Sequence, residues 1–282
     1  MTTPYQQQAP QQAQGAAYGA YTSPIPVRPA TLGDALASEW TKIRSVRSTM
    51  WTLGTLLVLV LGIGLLAAVA VNTSGSHMGD NPVVSLGFYG VLLGSICVIT
   101  LGVLTIASEY GTGMIRTTLT ACPSRARILT AKSIVFFLLS FVIVTVSTFL
   151  VAMIQTSMVD GGRQPTGAEL LKATVGVGLY ISTLGLLSLA IGALIRHSAG
   201  AITVMIGVVL LPLVLALFMF SASLASVRQA LFEYSIPSQL AVFYGASVTD
   251  SGPHGWMPLL ILAGVTAVAL GGAFASLSKR DV

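Results

Sequence analysis

Six stretches of this chain contain no Asp, Glu, Lys, Arg or His: Trp51–Val71, Val83–Ala107, Ile134–Met158, Ala173–Ile195, Ala199–Phe220 and Trp256–Leu277. Each reaches or passes the ~20 residues a helix needs to cross the hydrocarbon core of a bilayer. A charge placed mid-span costs roughly 2.5–3.5 kcal/mol on insertion scales, so its absence from all six is a membrane signature. The chain as a whole is 54% hydrophobic and 8% charged, against about 25% charged in a soluble domain. Soluble helices keep a polar face that these stretches lack. Inside lipid only helices and closed barrels satisfy every backbone group. The expected fold is therefore all-α, a polytopic membrane protein with six transmembrane helices.

The basic residues set the expected orientation. Arg28, Lys42, Arg44 and Arg47 precede the first span; Arg116, Arg125, Arg127 and Lys132 follow the second; Arg196 follows the fourth; Lys279 and Arg280 follow the sixth. Only Arg163, Lys172 and Arg228 fall in the alternate loops. Lys and Arg concentrate on the cytoplasmic side of membrane proteins, which places both termini in the cytoplasm. An even number of spans agrees.

Residues 1–30 are dominated by Gln, Ala, Pro, Tyr and Gly, with one charge, Arg28. Such a segment cannot build a core and reads as a disordered cytoplasmic tail. It has no basic start and apolar run, so it does not read as a cleaved signal peptide. Residues 31–282 form the expected membrane domain.

Thr31–Met50 reads as a helix ahead of the first span. Thr31 and Asp34 are spaced as a capping box, with Asp in place of Glu. Leu36, Trp40, Ile43 and Met50 share one face; Lys42 and Arg44 flank it, and Arg47 can snorkel from near it. This is the pattern of a helix lying in the cytoplasmic interface. The alternative is a straight extension of the first span, continuous through Thr49, Met50 and Trp51.

Within the spans, Gly90 and Gly94 form a G-x-x-x-G pair that lets helices approach closely. Gln155, near the outer end of the third span, is placed for a helix partner ahead of a substrate contact. Pro212 removes a backbone bond from the fifth span and should bend it. Between the fifth and sixth spans, Ser221–Gly255 carries many large apolar residues, among them Leu231, Phe232, Leu240, Phe243 and Tyr244, and is interrupted by Pro237. It reads as two short helices that dip into or lie on the outer leaflet.

Enzymatic signatures are missing. His77, His197 and His254 fall in separate loops, and zinc requires three or four converging ligands. There is no G-x-x-x-x-G-K-[ST] phosphate cradle, so no ATP site is expected on this chain. The two cysteines, Cys97 and Cys122, do not make a disulfide framework. No ionisable residue falls within the charge-free stretches, whereas proton-coupled carriers place one at mid-depth. The energy for any transport is expected from another chain.

The most informative segment is Glu109–Lys132. It holds Glu109, Tyr110, Gly111, Thr112, Gly113, Met114 and Arg116, a helix-capable run at Met114–Thr120, then Pro123, Ser124, Arg125 and Arg127. Ser124 is placed to cap a helix continuing into the third span. The arginines serve equally as a plain topology signal, and the glycines as simple turns.

On these residues the chain resembles the permease subunits of type-2 ABC exporters, notably the small six-span permeases of bacteria. The segment containing Glu39, Trp40, Thr41 and Lys42 resembles the family's elbow helix. Glu109–Gly113 with Arg116, Pro123, Arg125, Arg127 and Lys132 resembles the loop that contacts the ATPase. Pro212 matches a frequent proline, and Ile236, Pro237 and Ser238 resemble the outer re-entrant helices. The resemblance covers about residues 31–282. It implies an all-α fold with an N-terminal interfacial elbow helix (Trp40, Lys42, Arg44, Arg47) and short extracellular re-entrant helices before the last span.

It further implies a second permease chain, identical or different, two ATPase subunits carrying ATP and Mg, and a place in the bacterial inner membrane. This chain itself would bind no cofactor and no nucleic acid. Glu109 and Arg116 would anchor the coupling loop, Met114–Thr120 would insert toward the ATPase, and Gln155, Pro212 and Pro237 would line a pathway or gate. The runner-up is a non-transporting protein with the same membrane fold, a sensor or immunity subunit; an intramembrane enzyme ranks below it. Composition does not identify the cargo: Leu, Val, Ile, Ala and Gly suit a lipid-like molecule and helix packing alike.

Overall fold

A computed structural model describes residues 30–74, 79, 81–122, 124–159, 162–246 and 251–279. The proposed N-terminal tail, Pro123 and His77 lie outside the described residues. The described part is helical throughout, with no strand. Six helices are long and apolar enough to cross a membrane: Arg47–Ser74, Val83–Thr112, Arg125–Met158, Gly167–Ile195, Ser198–Phe218 and Met257–Lys279.

The chain enters through α1 (Leu32–Ser45). Thr31 caps it: the Asp34 amide donates to Thr31 Oγ1 at 3.3 Å and Asp34 Oδ2 accepts from the Thr31 amide at 2.8 Å. The helix stops at Val46, whose backbone is extended (φ −86°, ψ 113°). Span one then starts at Arg47 as α2 (Arg47–Val58), passes through a π turn at Leu59–Ile63, and ends as α3 (Gly64–Ser74). The break therefore falls earlier than the Thr49–Trp51 seam considered above, and Arg47 belongs to span one instead of the elbow. A single extended residue suffices to turn the axis because it leaves the α region of backbone space.

Span two is a short 3-10 turn at Val83–Gly87 leading into α4 (Phe88–Thr112). Gly113 ends it in a left-handed conformation (φ 72°), which glycine adopts without steric cost. The same residue starts α5 (Met114–Ala121), and Cys122 ends α5. Span three is α6 (Arg125–Met158), capped by Ser124 Oγ accepting from the Arg127 amide at 3.4 Å. Most of the segment treated above as a loop is thus helix. Glu109 through Thr112 finish α4, and Arg125 through Lys132 open α6.

Span four comprises α7 (Gly167–Leu171), a π turn at Lys172–Gly176 and α8 (Val177–Ile195). Span five is α9 (Ser198–Phe218), which runs unbroken with Pro212 inside it. Two short helices follow, α10 (Ala225–Glu233) and α11 (Ile236–Val242), before span six, α12 (Met257–Lys279).

Spans two and four are the most enclosed and form the centre, with α8 packed against α4, α6 and α12. Small residues set the spacing. A Cβ on Gly102 would lie 2.1 Å from Ser188 Oγ and 2.5 Å from the Gly185 carbonyl oxygen. A Cβ on Gly90 would lie 2.9 Å from the Val60 carbonyl, and one on Gly94 2.9 Å from Leu56. The G-x-x-x-G pair of α4 therefore seats span one. Spans one, five and six leave most of their surface outside the bundle, covered with Leu, Val and Phe as a lipid-facing surface requires.

The two helices before span six differ sharply. No residue of α10 is buried, whereas Ile236 through Ala241 of α11 all are. Ser235 caps α11, its Oγ accepting from the Ser238 amide at 3.3 Å, and Pro237 occupies the first turn. A proline there sacrifices no helix bond, so Pro237 opens a helix where a break was expected. Beyond α11, the Phe243 ring sits 5.5 Å from Tyr180 and 6.0 Å from Trp256, and the Tyr244 ring 6.2 Å from Phe88. Tyr180 Oη donates to Gln239 Oε1 at 3.4 Å. Helix α11 is thus held in the bundle at the end where α4 begins.

Candidate functional site

At the opposite end, where α4 finishes and α6 begins, four charged side chains meet. Lys42 Nζ donates to Glu39 Oε1 at 2.8 Å and to Glu109 Oε1 at 2.9 Å. Lys132 Nζ donates to Glu39 Oε2 at 2.8 Å and to Glu109 Oε1 at 2.6 Å. The result is a closed ring of alternating acids and bases with no net charge. Each ammonium has three protons to donate. Lys132 places its third on the Thr105 carbonyl at 3.3 Å, and Lys42 reaches Thr118 Oγ1 at 3.4 Å.

The ring joins four elements. Glu39 and Lys42 are on α1, three residues apart and so on one face. Glu109 lies in the last turn of α4, Lys132 in the third turn of α6, and Thr118 on α5. Glu39 and Glu109 are each 5% exposed and Lys132 is 1% exposed. Burying such charges is tolerated only when they are paired and hydrogen-bonded. Lys42 is the more accessible member. Burial would lower its pKa, but its bonds to the Glu39 and Glu109 carboxylates overcome this and hold it above the ordinary 10.5. One atom stays unmatched: Glu109 Oε2 is buried with no hydrogen-bond partner among the described residues.

The ring changes several sequence expectations. Glu109 is central, but its partners are Lys42 and Lys132; Arg116 is exposed on α5 and is not one of them. The inward face of α1 is that of Glu39, while Trp40 is 46% exposed. Arg44 and Arg47 are exposed too. Glu39 and Lys132 stand in the family-like motifs but were not singled out as site residues. For Lys132 the signal was position, two residues ahead of the charge-free stretch that opens at Ile134; Glu39, twelve residues ahead of Trp51, carried no such signal beyond its spacing of three from Lys42.

Tyr110 lies beside the ring under Arg196, whose guanidinium carbon is 5.0 Å from the ring centroid, a cation–π contact. Arg196 ends α8 in a left-handed conformation (φ 59°). Arg125 Nη1 donates to the Leu277 carbonyl at 2.7 Å, fastening α6 to the end of α12. Gly111, Thr112, Gly113 and Met114 are exposed along the junction of α4 and α5, and Arg127 is half-buried. Cys122 is 8% exposed, a free thiol like Cys97.

The residues proposed for a pathway do not gather. Gln155 is fully buried, and its Nε2 donates at 3.0 Å to the Gly64 carbonyl, one residue beyond the π turn of span one. This is the helix-partner role. It borders a cavity of about 10 Å³ with Tyr244, the size of one water. Pro212 faces a groove between α9 and α10 lined by Val227, Leu231 and Tyr234. Pro237 is buried in α11.

Six membrane-capable helices, a packed centre and a charge ring tying an entry helix to a helical hairpin describe a multi-pass membrane protein. No group of three or more His, Cys, Asp or Glu converges as a metal site among the described residues. The sequence model of the ABC-2 family transporter proteins matches residues 35–218, from α1 to the end of α9. The chain belongs to that family, the membrane component of ABC transporters. Comparison with curated proteins finds no match.

Proposed function

We propose that this chain is the permease of an ABC exporter, moving its substrate across or out of the bacterial inner membrane. A separate ATPase supplies the energy, with ATP and Mg bound there. Two permease chains and two ATPase subunits make the working assembly, and both termini of each permease are cytoplasmic. The observation that carries this reading is the ring of Glu39, Lys42, Glu109 and Lys132.

The reasoning is mechanical. Helix α5 stands between α4 and α6 with Arg116 and Thr117 exposed, an accessible surface for a docked partner. A push on α5 reaches α4 through Gly113 and reaches α1 through the Thr118–Lys42 contact. The ring cannot stretch gradually, because separating buried opposite charges in a low-dielectric setting is steep in distance. It therefore moves as a unit, carrying the starts of spans one and three with the end of span two. The end of α8 follows through the Tyr110–Arg196 stack. A domain movement of the ATPase becomes a concerted tilt of helices.

The test uses the permease and its ATPase co-purified in lipid nanodiscs. Arg116→Glu reverses a charge on the exposed face of α5 and touches no buried partner. Permease-dependent stimulation of ATP hydrolysis should fall at least about tenfold, the effect of one contact worth about 1.4 kcal/mol, with thermal stability unchanged. Full stimulation in that variant would overturn α5 as the docking element.

A further inference from the structure

Three spans lose regular α geometry around one cavity. It holds about 10 Å³ and is bordered by Val60 from the π turn of span one, Gly87 from the 3-10 turn of span two and Ala173 from the π turn of span four. Ala152 of α6 and Tyr244 are also in its wall. The three turns share a backbone property. The Gly64 amide divides between the Val60 and Leu61 carbonyls. The Phe88 amide bonds Ser85, three residues back, and the Val177 amide reaches Lys172, five residues back, as well as Thr174. Amides that serve carbonyls three, four or five residues back can exchange partners without being left unpaired. These turns are therefore the soft points of their spans. Span three differs: α6 passes the cavity as one helix, Arg125–Met158.

The pieces beyond these turns, at the end of the bundle opposite the charge ring, pack on one another. Ala68 and Val71 of α3, Val83 and Leu86 of the 3-10 turn, and Val159 form a hydrophobic cluster separate from the main core. The Val83 amide donates to the Arg163 carbonyl at 3.1 Å, and the Arg163 guanidinium pairs with Glu169 of α7 at 2.6 Å. Close glycine contacts seat this rim on α6. A Cβ on Gly64 would lie 2.6 Å from Val151, and one on Gly178, just past the π turn of span four, 2.0 Å from Thr145 Oγ1. Gln155 Nε2 adds its bond to the Gly64 carbonyl.

We infer that the rim of α3, Val83–Gly87 and α7 is one moving part, turning about α6 against the rest of the bundle, with Gln155 as its catch. The shared level of the turns decides this. One irregular turn would loosen one helix. Three around a single cavity, with a separate small core beyond them, let the outer ends of spans one, two and four swing together. The cavity supplies the slack that close packing otherwise denies. The inference rests on the chain's own packing and holds whichever partner works at the opposite end.

Amide hydrogen–deuterium exchange of the full-length protein in lipid nanodiscs, read by mass spectrometry at residues 59–64, 83–88 and 172–177, tests it. The three segments should share one protection factor, below that of α6. Gln155→Met releases the catch and should lower protection in all three about tenfold, the weight of one buried hydrogen bond, although that bond is made to span one. A change confined to span one would overturn the single moving part, as would no change. Because losing a buried amide can unsettle the whole fold, deletion of Gly62 is the second arm. It removes the extra residue of the π turn and keeps both flanks in register, at a position where a Cβ would meet nothing within 4 Å. Thermal stability should hold, protection at residues 59–64 should rise to that of α2, and the other two segments should follow. Unchanged protection in spans two and four after the deletion would overturn the inference.

Discussion

Lys132 is 1% exposed and its three donors are all engaged, two of them by carboxylates. Its loss leaves Glu39 and Glu109 sharing Lys42 alone. Removing one partner of a buried ion pair costs about 3–5 kcal/mol, mostly the stranded charge. Lys132→Met should therefore lower the unfolding temperature in detergent markedly, and Lys132→Met combined with Glu39→Gln should cost less than the two changes added together. Simple additivity would mean that the ring is not one unit.

Lys42 carries a pH dependence whose sign follows from its raised pKa. Its stabilising contribution is complete below the ordinary value of 10.5 and is lost as pH rises through the higher folded value. An unfolding-temperature profile should be flat in this respect through neutral pH and drop above about pH 10.5. Lys42→Met should lack that alkaline drop and run lower at neutral pH. Both lysines and both glutamates are plain in the sequence, but their pairing is not. A residue's charge is local information, whereas partnership between positions 39, 109 and 132 depends on how α1 folds back against α6.

Among the elements, the α4–α8 contact is the most demanding. The Gly185 carbonyl leaves no room for a Cβ at position 102, and a backbone atom cannot rotate aside as a side chain can. Gly102→Ala should force the central helices apart at a cost of about 1–3 kcal/mol, as overpacking does, and Gly102→Leu should cost more. Gly207→Ala, with nothing within 4 Å of the added Cβ, is the matched control. It should hold or raise the unfolding temperature, since alanine is the better helix former by about 1 kcal/mol. Equal effects at both sites would remove Gly102 as a spacing residue.

Element existence was readable because a span announces itself by what it lacks, one residue at a time. Element ends were not. The charge-free rule stops a span at the first ionisable residue, but a helix continues wherever its charges find partners. So α4 runs on through Glu109, and α6 begins before Lys132. The tight cap at Val46 carried no turn residue to announce it, which is why the elbow read as reaching Met50. Pro237 reads in the sequence as the interruption between two short helices; the structure has the two helices, and the Ser235 cap places Pro237 in the first turn of the second.

At the scale of the whole molecule, α1, α5 and the end of α12 share one face of the bundle, and α10 and α11 lie at the other. The basic residues cluster at the first, so that end should face the cytoplasm. The native thiols report this poorly, because Cys122 is 8% exposed and Cys97 sits within α4. Two exposed positions do better in a chain with both cysteines replaced by serine: Thr117→Cys on α5 and Ser226→Cys on α10. Treated with a membrane-impermeant maleimide, Ser226→Cys should react in intact cells and Thr117→Cys only after the cells are opened. The reverse pattern would invert the molecule. It would then place α5 and the charge ring out of reach of any cytoplasmic ATPase, so the same labelling that fixes orientation also bears on the proposed coupling.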